Sequence, residues 1–473
     1  MKSFTYSGVW WLPSQEEHKV AGEATFSGDD ETKLVLHGAF AHDFVSGRIE
    51  SLPWYPIILG ITAAGQPITL LHCQEMSFGS YTGENGEGQE QECNAEIAYV
   101  GSHFTDPQEI LFNKVDVHYS YLPQWTGLFP YYGHQKPFDE VSASTTKGTI
   151  TVQPIQSVWH ELTKKTDLIN QADLSEIVRI RFEVQEALLL DEWMTQFITP
   201  LQHLISLATQ RPNAIVNIVG YIKQNGTDRS KSEISELPIQ IAFIPAITPI
   251  IASRGTVPET ILFSLQEIMP NFSHVIETWL HMADELENTF RLFFGVQYTN
   301  LPLDLRFLLT AQAVEVYQDH RFEKAAFPEE EYQAFMETIL AACPEEKKEW
   351  LAETLQYSNH ATFRQQLRNF VTQTNAVLHP LLGKNSDKRG EFAEVVYNTR
   401  NYLTHHTKEL APKAASGVEL FYITRCLSLA LQVCLMKELG FAPSELTEIM
   451  QKHEHYQHIS FLQPQVDLEK LAG

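Results

Sequence analysis

Arg400-Asn401-Tyr402-Leu403-Thr404-His405 lies between two segments with the marks of long helices, residues 387–404 and 417–439, and this part of the chain decides the fold. Ser416-Gly417-Val418-Glu419 has the form of a capping box, and Gly440 follows Lys437, Glu438 and Leu439 as a helix-ending glycine. Upstream, residues 303–321, 330–342, 345–356 and 361–377 read as further helices. Pro258-Glu259, Pro328-Glu329-Glu330-Glu331 and Pro344-Glu345-Glu346 each set proline at or near a first helical position, with carboxylates in the first turn where the macrodipole favours them. These acidic clusters therefore read as helix starts rather than catalytic pairs. Short links between long amphipathic helices favour antiparallel neighbours, so the C-terminal half is expected to be a helical bundle. No internal repeat of solenoid length is present.

The N-terminal half has a different period. Phe4 and Tyr6 alternate with polar neighbours, residues 20–26 and 33–40 flank the turn-like Ser27-Gly28-Asp29-Asp30, and Val115, Val117, Tyr119 and Tyr121 recur at every second position. Residues 148–152, 177–184, 215–222 and 239–244 continue the pattern, interrupted by a helix around 193–209. The fold class is α+β: an N-terminal β-rich region followed by a C-terminal antiparallel helical bundle. We divide the chain into 1–255, long enough for two subdomains, a helical connector at 256–299, the bundle at 300–442 and a tail at 443–473. The preferred boundary is Ala252-Ser253-Arg254-Gly255-Thr256.

Composition narrows the function. With 473 residues, 43% hydrophobic and 20% charged, the chain has ample core for several domains and is not globally disordered. The longest apolar runs, 238–252 with its prolines and the interrupted 426–439, fall short of a membrane span, and the first residues lack the apolar segment of a signal peptide. The expected compartment is the cytosol, with no membrane partner. Five cysteines without CxxC spacing fit a reducing compartment, and Cys426 and Cys434, one above the other among leucines, read as buried thiols. A net charge of −25 opposes any polyanion partner, yet residues 381–440 hold eight Lys and Arg against six Asp and Glu. The acidity lies outside the segment that carries the hexapeptide.

Arginine supplies a fixed cation, asparagine a hydrogen-bonding amide, and histidine a proton-transfer group near neutral pH. On one straight helix Asn401 and His405 share a face, while Arg400 lies about 100° from Asn401 and about 140° from His405. Two copies meeting about a two-fold axis would bring these groups together. The bland alternative pairs Arg400 with Glu394 or Glu409 and leaves His405 at a helix C-terminus.

The hexapeptide, its bundle context and the apolar helix ending in Leu439-Gly440 together resemble the HEPN ribonuclease superfamily. There the motif is Arg, a polar residue, several others and then His, near the end of the penultimate main helix. Phe4-Thr5-Tyr6-Ser7-Gly8-Val9-Trp10-Trp11-Leu12-Pro13, Val20-Ala21-Gly22 and Leu34-Val35-Leu36-His37-Gly38 resemble the N-terminal domain of ApeA-type anti-phage proteins. Arg306-Phe307-Leu308-Leu309, leading into Ala313-Val314-Glu315-Val316-Tyr317, is similar to that family's opening HEPN helix. The resemblance implies a metal-independent endoribonuclease of abortive infection, working without a cofactor as a homodimer whose site draws Arg and His from both protomers. It implies Arg400 at the scissile phosphate, Asn401 positioning phosphate or imidazole, and His405 moving protons. His406 also fits the family's variable spacing; we favour His405 because it shares a face with Asn401, leaving His406 to support it. RNA is then the substrate, tRNA being an effective target for growth arrest, and a phage-derived trigger would relieve repulsion by the acidic N-terminal region.

Other signals are weaker. His453-Glu454-His455-Tyr456-Gln457-His458 lacks the ligand set of a metal site and reads as a solvated tail. Gly83-Glu84-Asn85-Gly86-Glu87-Gly88 carries carboxylates that would repel phosphate, and His160-Glu161 lacks the second histidine of a zinc protease. Trp10, Trp11, Trp54, Tyr55, Trp125, Tyr131 and Tyr132 read first as core and sheet-edge aromatics. The rival function is a catalytically silent dimeric interaction module whose β-rich half binds a protein or carbohydrate.

Overall fold

The computed structural model describes residues 4–26, 32–40, 52–83, 86–128, 138–158, 177–224, 235–244, 261–322, 327–356, 358–359 and 361–472. The Ser27–Asp30 turn, Glu84 and Asn85, Tyr131, Tyr132, His160, Glu161, Pro258-Glu259 and the 252–256 boundary lie outside them. The chain forms two compact units, 1–258 with 263–280, and 259–262 with 281–473. The connector expected over 256–299 is thus divided between the two.

The first unit is built on twelve strands: β1 (Phe4–Trp11), β2 (Val20–Phe26), β3 (Thr32–Leu36), β4 (Trp54–Thr62), β5 (Pro67–Gly83), β6 (Gly86–Val100), β7 (Phe112–Tyr119), β8 (Val141–Ser144), β9 (Thr149–Pro154), β10 (Val178–Leu188), β11 (Ile215–Gln224) and β12 (Ser235–Phe243). They form one sheet in the order β3-β2-β1-β4-β5-β6-β12-β11-β7-β10-β9-β8. A further pairing, β3 with β6 from Thr32↔Ala95 to Leu36↔Gln91, closes β1–β6 into a barrel. The far half of β6 pairs with β12 instead, from Ile97↔Phe243 to Val100↔Gln240, and so passes the sheet on. Alternation supplies the barrel interior: Val20, Ala24 and Phe26 of β2 and Leu34 and Leu36 of β3 point inward around Trp10. Gly60 opposes Trp10 because a Cβ there would stand 2.2 Å from the indole.

The second half of the sheet buries Phe112, Val115, Val117, Ile180 and Phe182. Helix α1 (Leu122–Thr126) follows β7, and α2 (Leu190–Trp193) leads through a π-turn (Met194–Ile198) into α3 (Thr199–Thr209). Trp193 donates from its indole to the Phe112 carbonyl at 3.1 Å, and Tyr119 donates to the Ile198 carbonyl at 2.8 Å. Trp10, Trp11 and Trp125 are core residues as expected, Tyr55 is half-buried, and Trp54 is 54% exposed, its ring stacked on His72.

Helices α4 (Leu265–Ile268) and α5 (Phe272–Glu285) precede the bundle, which comprises α6 (Glu287–Tyr298), α7 (Leu303–Arg321), α8 (Glu329–Ala342), α9 (Glu345–Leu355), α10 (Phe363–Leu382), α11 (Ser386–His405), α12 (Gly417–Glu438), α13 (Pro443–Lys452), α14 (Glu454–Leu462) and α15 (Glu469–Ala472). Pro328 and Pro344 stand at the N-caps of α8 and α9, with Glu329–Glu331 and Glu345–Glu346 in the first turns. α10 runs past its expected end and bends at Leu378, two residues before Pro380, whose ring removes a backbone donor. α12 is long and apolar enough to cross a membrane by composition, which the reading of its sequence missed, but it is mostly buried and supplies the bundle core through Leu420, Ile423, Leu427, Leu431 and Leu435. Ser416 is its N-cap but makes no side-chain capping bond: Gly417 takes φ +53, which turns the first peptide away from capping-box geometry. Residues expected as a solvated tail are instead helical, with Leu446, Met450, His453, Tyr456 and Ile459 buried.

Candidate functional site

Asn385 caps α11 by accepting from the Lys388 amide at 2.9 Å, and the helix stays regular to His405. His406 then adopts the left-handed conformation, φ 52 and ψ 35, and donates its amide to the Tyr402 carbonyl at 2.6 Å. That ending is unusual for a residue with a side chain. The two histidines therefore differ. His405 continues the Asn401 stripe one turn on, whereas His406 lies beyond the last turn with its ring edge-on to Tyr402 at 5.7 Å. Both are exposed.

Arg400 is held on three sides. One guanidinium nitrogen donates to Asn401 Oδ1 at 3.2 Å, and another reaches Glu315 Oε2 at 3.3 Å. Its plane lies over the Phe363 ring, 5.4 Å from the centroid. The ion pair that the sequence offered, to Glu394 or Glu409, is not the one formed: Glu394 is taken by Arg364, which also stacks over Tyr397 at 5.2 Å. α10 and α11 run antiparallel, so Phe363 and Arg364 at the start of one meet Arg400, Tyr397 and Glu394 on the other.

Glu315, on α7, is half-buried. Burial pushes its carboxyl above the ordinary range; Arg400 pulls it down, and Asp319, one turn away, pushes it up again. Asp319 in turn accepts from Gln366 at 2.8 Å. The result is an arginine braced by one long, imperfect ion pair and an aromatic ring, with about a third of its side chain open to solvent. Such a group could exchange its carboxylate for another oxyanion, since the planar fork matches carboxylate and phosphate alike. Glu315 and Phe363 escaped the sequence reading. The signal for Glu315 was an acid inside the otherwise apolar Ala313–Tyr317 run.

Among the described residues no group of His, Cys, Asp and Glu is arranged to hold a metal ion. Cys426 and Cys434 are buried, and burial pushes the Cys434 thiol up to about 12.

An antiparallel bundle with an Arg-Asn…His motif at the end of its penultimate long helix defines a class, and a family model described as Apea-like HEPN matches residues 308–445. A second model, ApeA N-terminal domain 1, matches residues 5–279, more than half of the chain. The chain belongs to the ApeA family, anti-phage proteins of the HEPN nuclease type with a β-rich region before the HEPN domain. No curated protein and no solved structure matches it.

Proposed function

We propose that this chain is a metal-independent endoribonuclease of an abortive-infection system, cleaving RNA, with tRNA as the target class, at a composite site between two protomers. The observation that carries the reading is the Arg400 cluster: a guanidinium steadied by Phe363, Asn401 and Glu315, one turn from an exposed imidazole on the Asn401 face. In this reading Arg400 stabilises charge on the scissile phosphate while the ribose 2′-OH attacks phosphorus and the 5′-oxygen leaves. His405 of one protomer takes the 2′-OH proton and the partner's His405 supplies one to the leaving oxygen. Asn401 holds the phosphate or fixes an imidazole tautomer, and His406 supports the site from beyond the helix end. The N-terminal β-rich region serves as the sensing and regulatory part, answering a phage-derived trigger in the cytoplasm.

The test is cleavage of RNA by the full chain in EDTA, with and without phage lysate. Arg400→Ala and His405→Ala are expected to abolish cleavage and to leave the dimer mass intact, while His406→Ala retains most activity. Abolition by EDTA contradicts metal independence. No cleavage under any condition favours the second reading, a silent interaction module, for which the exposed Trp54–His72 stack is the supporting observation.

A further inference from the structure

Among the described residues three of the eight bundle arginines have an ion pair, and Arg291, Arg306, Arg368, Arg389 and Arg425 do not. Arg321 bridges Glu438 and Glu285, Arg364 pairs with Glu394, and Arg400 with Glu315. Arg306, in the first turn of α7, and Arg425, in the third turn of α12, are both half-buried on helices that pack together. Among the described residues neither has a carboxylate at ion-pair distance. Arg425 lies over the Phe421 ring at 5.3 Å, and the same ring meets His458 of α14 edge-on, centroids 6.0 Å apart.

Tyr317 meets Cys434 and Arg321 bonds Glu438, so α7 and α12 run in parallel register and carry Arg306 and Arg425 at about the same level. Two partly desolvated cations without a counter-charge cost stability. Burial and the charge of Arg306 pull the Arg425 guanidinium below its ordinary value. A chain with 59 Asp and Glu had many ways to supply a carboxylate here. Perturbed groups of this kind mark candidate functional sites, and a bound oxyanion would supply the missing counter-charge. The aromatic support matters too, because Phe421 fixes the plane of the Arg425 fork and so pre-sets it for a tetrahedral oxyanion.

We propose that Arg306 and Arg425 form a phosphate-binding site at the junction of α7, α12 and α14, with Phe421 orienting the Arg425 guanidinium and His458 at the edge of that ring. The site is separate from the Arg400 cluster. Nine residues from Arg306 to Glu315 amount to two and a half turns and about 13.5 Å along α7, which puts them on opposite faces of the helix. The ligand is a phosphate group, from a free nucleotide or from an RNA backbone, and the assignment does not depend on the nuclease reading.

The experiment is thermal unfolding of the full chain in chloride and in inorganic phosphate at matched ionic strength, for wild type, Arg425→Met and Arg306→Gln. Phosphate is expected to raise the wild-type Tm by several degrees through linkage, and neither variant is expected to respond. In chloride both variants should melt at or above wild type, because each substitution removes a like-charge repulsion; an arginine with a merely structural role would melt lower. A wild type that melts identically in the two salts overturns the proposal, as does a phosphate response that both variants keep. Should Arg425→Met fail to fold, Arg306→Gln decides alone. In a His405→Ala background, abolition of the phosphate shift by single-stranded RNA assigns the backbone as source, and abolition by a mononucleotide alone assigns the free nucleotide. If RNA binds nowhere while phosphate still raises the Tm, the nuclease reading fails and the phosphate site stands.

Discussion

Each unit holds a carboxylate among cations, and the two are tuned in opposite directions. Asp116 on β7 is 1% exposed, accepts from Arg181 at 2.7 and 2.9 Å and from Tyr221 at 2.7 Å, and forms an ion pair with Arg179 at 2.8 Å. Burial alone would raise its carboxyl, but the hydrogen bonds from Arg181 and Tyr221, with the charges of Arg179 and Arg181, hold it below the ordinary value. Glu315 has, among the described residues, one cationic partner at 3.3 Å, and there burial prevails and the carboxyl is raised. A fully satisfied acid ties three strands of the sheet together. An under-satisfied one keeps Arg400 in place while leaving it cheap to detach.

The comparison breaks first at Asp116. Asp116→Ala strands two half-buried arginines and is expected to destabilise the β-rich unit by about 3–5 kcal/mol, measured by urea unfolding. Next, Arg400→Ala should lower RNA cleavage by about 100-fold or more while changing unfolding free energy by less than about 1 kcal/mol. A large stability loss there would make Arg400 a structural residue like Arg181.

Acidification separates the two acids by sign. Asp116 has a lowered folded value, so its contribution is present above the unfolded carboxylate range and is lost as pH falls through the folded value. Glu315 has a raised folded value, so its contribution is present below the unfolded value and is lost as pH rises through the folded one. Glu315→Gln is therefore expected to be neutral or slightly stabilising at pH 7, by under about 1 kcal/mol, and to lose that advantage in acid. Stability curves against pH for both variants check this; a destabilised Glu315→Gln at pH 7 would show that the pair with Arg400 is architectural.

Much of this was legible in local sequence. Prolines followed by glutamates marked α8 and α9, Gly440 marked the end of α12, and alternation marked the strands. Closure of the barrel was not legible, because β3 meets β6 across most of the barrel's chain and no local pattern announces that partner. The partner of Arg400 was hidden for the same reason: Glu315 is 85 positions away and became its neighbour only through the packing of α7 on α11. The tail was misread because its apolar residues are thinly spaced among His and Glu, and only contact with α10, α11 and α12 shows what they bury.

The central claim, that two protomers share one site, is tested most directly by subunit mixing. Wild-type chain is co-refolded with increasing proportions of the Arg400→Ala/His405→Ala double variant, and RNA cleavage is followed against the wild-type fraction. A composite site predicts that activity falls with the square of that fraction, since only dimers of two intact chains assemble it. Activity that falls in simple proportion would mean that each chain carries its own complete site, and would contradict the account.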